Sequence, residues 1–267
     1  MAAKPPPRFP AGLGREPTPT SARDATLRPQ RPLDQAARDA RRQHRPSGFG
    51  LDSDAVRSAL VERLRREFGA HDAVCRALLA VPRHCFVDSA LAPQAYEDTS
   101  LPIGLQQTIS KPSVVARMLS LLHDGASARA TGRLGRVLEI GTGCGYQTAL
   151  LALLGSRVVS IERLQALHLK ARAQLDALQV AGVRLIWGDG RLGHAPNAPY
   201  DSIVAAAGGD ALPPAWLAQL ADGGRLVAPV AGAGGTQVLL VVDRRGDELL
   251  RTLRESVRFV PLESGVG

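Results

Sequence analysis

The residues best suited to chemistry in this sequence form a glycine run with carboxylates on either side of it. Val137-Leu138-Glu139-Ile140-Gly141-Thr142-Gly143-Cys144-Gly145-Tyr146-Gln147 carries an apolar stretch straight into Gly-x-Gly-x-Gly and on into a helix-forming stretch. Glycines at such a turn allow a tight bend and remove Cβ atoms, so a ligand can lie against the backbone. Dinucleotide cofactors use a similar turn, but they want glycine at the first, third and sixth positions. Here the sixth is Tyr146. Glycine at the first, third and fifth positions, preceded by Glu139, fits S-adenosylmethionine better. Glu162 ends the next apolar run, where a carboxylate can accept from both ribose hydroxyls. Its other reading is a surface acid at a helix start, favoured by the dipole. Asp189, in Gly188-Asp189-Gly190, stands where an acid can accept from an adenine amino group, or it is simply a turn aspartate. The expected cofactor contacts are therefore Glu139, Gly141, Thr142, Gly143, Gly145, Glu162, Asp189 and Gly190.

Elements that would position these groups are legible around them. Apolar runs at 136–140, 157–161, 183–187, 202–206 and 225–230 read as buried strands. Helices through residue 154 and over about 164–178 separate the first three. Runs at 237–242 and about 252–260 read as a late strand pair. Continuous apolar strands alternating with helices indicate an α/β, mostly parallel, Rossmann-like sheet covered on both faces. Upstream, Val56, Leu60, Val61, Leu64 and Phe68 recur at helical spacing, with Asp52 or Ser53 as N-cap and Gly69 as breaker. A second helix with Val74, Leu78 and Val81 stops at Pro82. A loop containing Pro93, Pro102 and Gly104 leads to Thr108-Ile109-Ser110-Lys111-Pro112 and a further helix through Leu122.

Composition sets the outer limits. The chain has 267 residues, 45% of them hydrophobic, enough for one large core. Residues 1–50 hold ten Lys/Arg, four acids and nine prolines, so most of the net charge of +8 lies there. That segment lacks apolar periodicity and reads as a disordered, solvated extension. Residues 51–267 are then expected to form the cofactor-binding domain, with an N-terminal helical segment over 51–130 and the Rossmann-like core over 131–267. Cys75, Cys85 and Cys144 are too few and too scattered for a disulfide framework, which suits a reduced, cytoplasmic setting. No run reaches the roughly 20 apolar residues that span a bilayer, so no membrane partner is expected. His71, His84, His123, His168 and His194 show no metal-ligand spacing, and no metal is expected.

Taken with the segment before them, these motifs resemble protein-L-isoaspartate (D-aspartate) O-methyltransferases. The matching stretches are Val81-Pro82-Arg83-His84-Cys85-Phe86-Val87, Leu101-Pro102-Ile103-Gly104 with Gln107-Thr108-Ile109-Ser110, and Val137 to Gln147. Gly188-Asp189-Gly190, Ala198-Pro199-Tyr200-Asp201 and Gly223 to Val230 follow. The Thr-Ile-Ser segment is more specific than the glycine turn, which many methyltransferases share. The resemblance implies a Rossmann-like fold with added N-terminal helices. It also implies methyl esterification of the α-carboxyl of isoaspartyl residues in damaged proteins, with D-aspartyl residues as a further acceptor. It makes Ser110 the active-site serine, and Leu101, Pro102, Ile103, Thr108 and Val260 the substrate side. Two departures stand out. Gln106 sits where many members have glycine, which would alter the loop near the substrate. Gly208-Gly209 follows Ala205-Ala206-Ala207 where many have proline, which would loosen the wall beside the cofactor.

The implied chemistry asks little of the protein. A methyl sulfonium leaves behind a neutral thioether, and a carboxylate acceptor is already ionised at pH 7. No strong base is needed, and in-line positioning can supply roughly 7–11 kcal/mol. Ser110 would hydrogen-bond the acceptor carboxylate, unless it is only the N-cap of the helix after Pro112. Cys144 reads as an apolar filler. The expected partners are isoaspartyl proteins, not nucleic acid, and the expected form is a monomer. Two alternatives stay open: a methyltransferase of a small molecule or RNA, and a non-catalytic protein-binding module on the same fold.

Overall fold

Side chains along the central strands alternate between two cores, as the two-residue repeat of a strand requires. Val137, Val158, Val204 and Val227 face one core, and their neighbours Leu138, Val159, Ile203 and Leu226 face the other. All eight are buried. The computed structural model describes residues 54–267. The extension 1–50 and the N-cap candidates Asp52 and Ser53 lie outside the described residues.

Two helices open the described chain, α1 (Asp54–Phe68) and α2 (Asp72–Ala80). Two short 3-10 turns, Arg83–Phe86 and Ser89–Gln94, follow. Next come β1 (Leu101–Gly104), β2 (Gln107–Ile109), α3 (Pro112–His123) and α4 (Ala126–Thr131). The core is β3 (Arg136–Ile140), α5 (Tyr146–Leu154), β4 (Arg157–Glu162), α6 (Gln165–Ala177), β5 (Val183–Trp187) and β6 (Tyr200–Ala205). It ends with α7 (Pro214–Ala218), β7 (Leu220–Ala231), β8 (Gln237–Arg245) and β9 (Glu248–Val257).

The large sheet runs β5-β4-β3-β6-β7-β8-β9. Its first five strands are parallel, and β7, β8 and β9 pair antiparallel. Strand order therefore reverses between β3 and β6. Doubly wound sheets bind ligands at such a switch point, beyond the carboxyl ends of the strands. The glycine turn that follows β3 lies there. Helix α3 buries Met118, Leu119 and Leu122 completely. Each such side chain stabilises by roughly 1.5–3 kcal/mol, which anchors the segment that carries Ser110.

Several boundaries differ from the sequence expectations. The stretch expected as a loop before Ser110 is a hairpin, with Leu101 opposite Ile109 and Pro102 opposite Thr108. Its turn residues Leu105 (φ 52°) and Gln106 (φ 58°) are both left-handed, as a type I′ turn needs. Helices α4 and α7 are too short for apolar periodicity to reveal them; each buries one residue, Ala128 and Trp216. The last strand stops at Val257 rather than 260. There the chain leaves β8 and crosses to the end of β6: Phe259 N–H donates to the Gln237 side chain and Gly208 N–H to Val260 O.

Candidate active site

The turn after β3 is held from beneath by Glu139. This carboxylate is fully buried and accepts from Thr148 Oγ1, from Ser160 Oγ at 2.7 Å and from Gln147 Nε2 at 3.1 Å. Thr142 Oγ1 lies 2.6 Å from the same Ser160 hydroxyl. Burial pushes the Glu139 carboxyl up to about 7, although its three hydrogen bonds pull the other way. Glu139 and Thr142 thus brace the turn from inside and do not line the cavity above it. Gly145 also faces away, packing on Leu175 at the start of α5.

Above the turn, a cavity of about 80 Å³ is lined by Gly141, Gly143, Glu162, Gly190, Ile103 and Thr108, with Val260 to Glu263 as its outer wall. Gly143 has φ 57°, and a Cβ there would stand 3.3 Å from Ile103 Cδ1. A side chain there would crowd the hairpin, and the backbone conformation itself favours glycine. A Cβ on Gly190 would meet Ile140 Cγ2 at 2.6 Å. Glu162 is 5% exposed; Oε2 accepts from Gly143 N–H at 2.8 Å and Oε1 from Leu164 N–H at 3.0 Å. Each oxygen keeps a second lone pair for a ligand hydroxyl. Missing Cβ atoms and a fixed carboxylate at the rim suit a nucleoside.

Ordinary small-molecule sites hold roughly 300–1,000 Å³. The closed volume over the turn is smaller than that, with segment 260–263 as its outer wall. Asp189 belongs to the fastening of that wall. It accepts from Arg191 N–H at 2.8 Å and from Gly265 N–H at 2.7 Å, and it does not line the cavity. Arg163 pairs with Glu263 at 2.6 Å, and Gln165 N–H donates to Gly267 O. Gly208, one of the two glycines expected to loosen this wall, bonds to it through both backbone groups. Gly208 N–H donates to Val260 O at 2.9 Å, and Gly208 O accepts from Leu262 N–H at 2.8 Å. A Cβ on Gly208 would meet Gln237 Nε2 at 2.6 Å, so a side chain would not fit there without displacing Gln237.

Ser110 opens onto a separate, larger groove of about 970 Å³, together with Lys111, Arg117, Glu255, Arg258 and Phe259. Segments 107–111 and 257–262 contribute residues to both hollows, so they form the partition between them. Ser110 is not the helix cap. Lys111 holds that position, and Asp98 Oδ1, from far upstream, accepts from Ser113 N–H at 2.7 Å. The Ser110 hydroxyl has no hydrogen-bond partner among the described residues. Of the expected substrate-side residues, Ile103, Thr108 and Val260 line the smaller cavity. Leu101 is core, and Pro102 is exposed on the hairpin and lines neither.

Some supporting residues carried no sequence signal of their own. Lys170 Nζ donates to Ile103 O at 3.1 Å, tying β1 to α6. Arg83, 1% exposed, donates to Ala95 O and Thr99 O and stacks over Tyr146 at 5.0 Å, steadying the stretch that holds Asp98. Burial lowers its pKa. Arg83 lies in a motif that the resemblance uses, but nothing local shows that its partners lie 12 and 16 residues away.

The sheet order and the glycine turn at the switch point define the fold of an S-adenosylmethionine-dependent methyltransferase, with the carboxylate after β4 at its candidate cofactor site. The comparisons narrow this class. The family model for protein-L-isoaspartate(D-aspartate) O-methyltransferase matches residues 55–267, and the chain belongs to that family of enzymes. The protein-L-isoaspartate O-methyltransferase of Methylibium petroleiphilum is 57% identical over 266 residues, covering 98% of this chain and 97% of that one. Its alignment takes in most of the extension that the family model omits. The same-named protein of Leptothrix cholodnii is 60% identical over 240 residues, covering 89% of this chain and 84% of its own. A solved protein-L-isoaspartate O-methyltransferase superposes with a TM-score of 0.70 at 28% identity, covering 79% of this chain and 67% of that one. A Plasmodium falciparum structure in complex with S-adenosyl-L-homocysteine shares the fold, with a TM-score of 0.66 at 23% identity over 78% of this chain and 98% of its own. Among the described residues, no helix is long and apolar enough to cross a membrane.

Proposed function

We propose that this chain methylates the α-carboxyl of L-isoaspartyl residues in damaged proteins, with D-aspartyl residues as a second acceptor, starting their repair. The observation that carries the reading is the partition. The Ser110 hydroxyl, without a hydrogen-bond partner among the described residues, stands on a groove open to a polypeptide. The same wall bounds the cavity over the glycine turn. S-adenosylmethionine, when bound, supplies an activated methyl group. Glu162 would accept from its ribose hydroxyls, Gly141, Gly143 and Gly190 would leave room for it, and Asp189 would accept from its adenine amino group. Ser110 donates to one oxygen of the acceptor carboxylate and turns the other toward the partition. Ile103, Thr108 and Val260 would border the transferred methyl group from the cavity side of the partition. Every group used comes from one chain, and a cytoplasmic monomer without a metal is the form proposed.

The test is transfer of labelled methyl groups to two peptides that differ only in an isoaspartyl or an aspartyl linkage. The expected result is label on the isoaspartyl peptide alone. Equal labelling of both, or labelling of neither, overturns the reading.

A further inference from the structure

The groove beside Ser110 has a charge pattern that the reaction does not require. Arg117 and Glu255 are paired across it, Nε to Oε1 at 2.5 Å, and so offer little net charge. Lys111 and Arg258 also line it, and both are exposed. Neither makes a hydrogen bond or ion pair with any described residue. The rest of the polar lining is neutral, including Thr236, Gln237 and Ser256. Among the described residues, the groove thus keeps two unpaired cations and no unpaired anion.

Their positions relative to the reacting atoms give the pattern a use. Lys111 directly follows Ser110, and Arg258 lies two residues before Val260. An extended peptide advances about 3.3 Å per residue. Lys111 and Arg258 line the same groove as Ser110, so a peptide with its acceptor carboxylate at Ser110 runs along the surface that carries them.

We infer that Lys111 and Arg258 select isoaspartyl sites that have acidic residues beside the damaged position. The inference rests on the function proposed above and adds a substrate preference to it. Exposed ion pairs are individually weak and screened by salt. The expected effect is therefore a graded preference that acts through binding. Rim charges of this kind alter encounter and specificity more than the bonds being made.

The experiment uses three isoaspartyl peptides, identical except for Glu, Gln or Lys on both sides of the isoaspartate. KM and kcat are measured at low salt and at high salt. The Glu-flanked peptide is expected to have a KM about three- to tenfold below that of the Lys-flanked one, with closely similar kcat. The ratio should shrink at high salt. It should collapse in the double variant Lys111→Gln/Arg258→Gln and invert in Lys111→Glu/Arg258→Glu. Because the readout is a ratio between peptides on one enzyme preparation, loss of folded protein does not imitate it. Equal KM values, or a ratio that persists in the Gln double variant, overturn this inference while the proposed function stands. No methylation of any peptide, the Gln-flanked one included, overturns both.

Discussion

Asp98 Oδ1 accepts the backbone N–H of Ser113 at 2.7 Å, so the first turn of α3 is capped by a residue outside the helix and its flanking tripeptide. This is the place that local sequence offers to Ser110. With the cap supplied elsewhere, removing the Ser110 hydroxyl costs the fold little.

The two residues are therefore expected to separate stability from turnover. Asp98→Ala should lower unfolding free energy by about 1 kcal/mol, as cap losses do. Ser110→Ala should leave it within about 0.5 kcal/mol. A hydrogen bond to a charged group contributes about 1.5–3 kcal/mol, so Ser110→Ala should cut kcat/KM roughly 10- to 100-fold. Cofactor affinity by calorimetry should barely change. Urea titrations and methyl-transfer kinetics on both variants check the pair.

Glu139 should make stability depend on pH near neutrality. Burial raises its carboxyl to about 7 in the folded protein, from 4.5 in the ordinary case. The folded state thus holds this proton more tightly than the unfolded chain does. The associated stability is complete below about pH 4.5 and is lost as the pH rises to about 7. Wild type is expected to lose on the order of 2–3 kcal/mol between pH 5 and pH 8 relative to Glu139→Gln. Chemical denaturation of both proteins at the two pH values measures the difference, and parallel behaviour would remove the assignment.

Gln106 sits at φ 58° in the hairpin turn next to the cavity wall. An ordinary side chain in that region costs roughly 1–2 kcal/mol. Glycine removes that cost but gains freedom in the unfolded chain worth about 0.4–1 kcal/mol. Gln106→Gly should therefore stabilise by a net few tenths to 1 kcal/mol, read as a higher urea midpoint. This places the departure from the family pattern on the turn's conformation, since Gln106 lines neither hollow.

Much of the fold was readable because its signals are local. The strands of the sheet stand within a few residues of the apolar runs that mark them, and 136–140 and 183–187 coincide with β3 and β5. Helices α4 and α7 were not readable, because five or six residues burying one side chain leave no period to detect. The site divides in the same way. Gly141, Gly143, Glu162 and Gly190 are set by spacing around the turn and do line the cavity. Glu139, Thr142, Gly145 and Asp189, chosen from the same pattern, face inward or hold other segments.

The sequence alone determined the alternating core, the glycine turn at the end of β3 and the acid at the end of β4, since each rests on neighbours in the chain. Tertiary structure decided which carboxylates brace the turn and which line the cavity above it. It also decided that Asp98 caps α3, that Gly265 meets Asp189, and that Ser110 opens on a groove apart from the glycine turn. A buried or half-buried polar group takes whichever partner the folded chain brings within about 3 Å, and that partner can lie anywhere in the sequence.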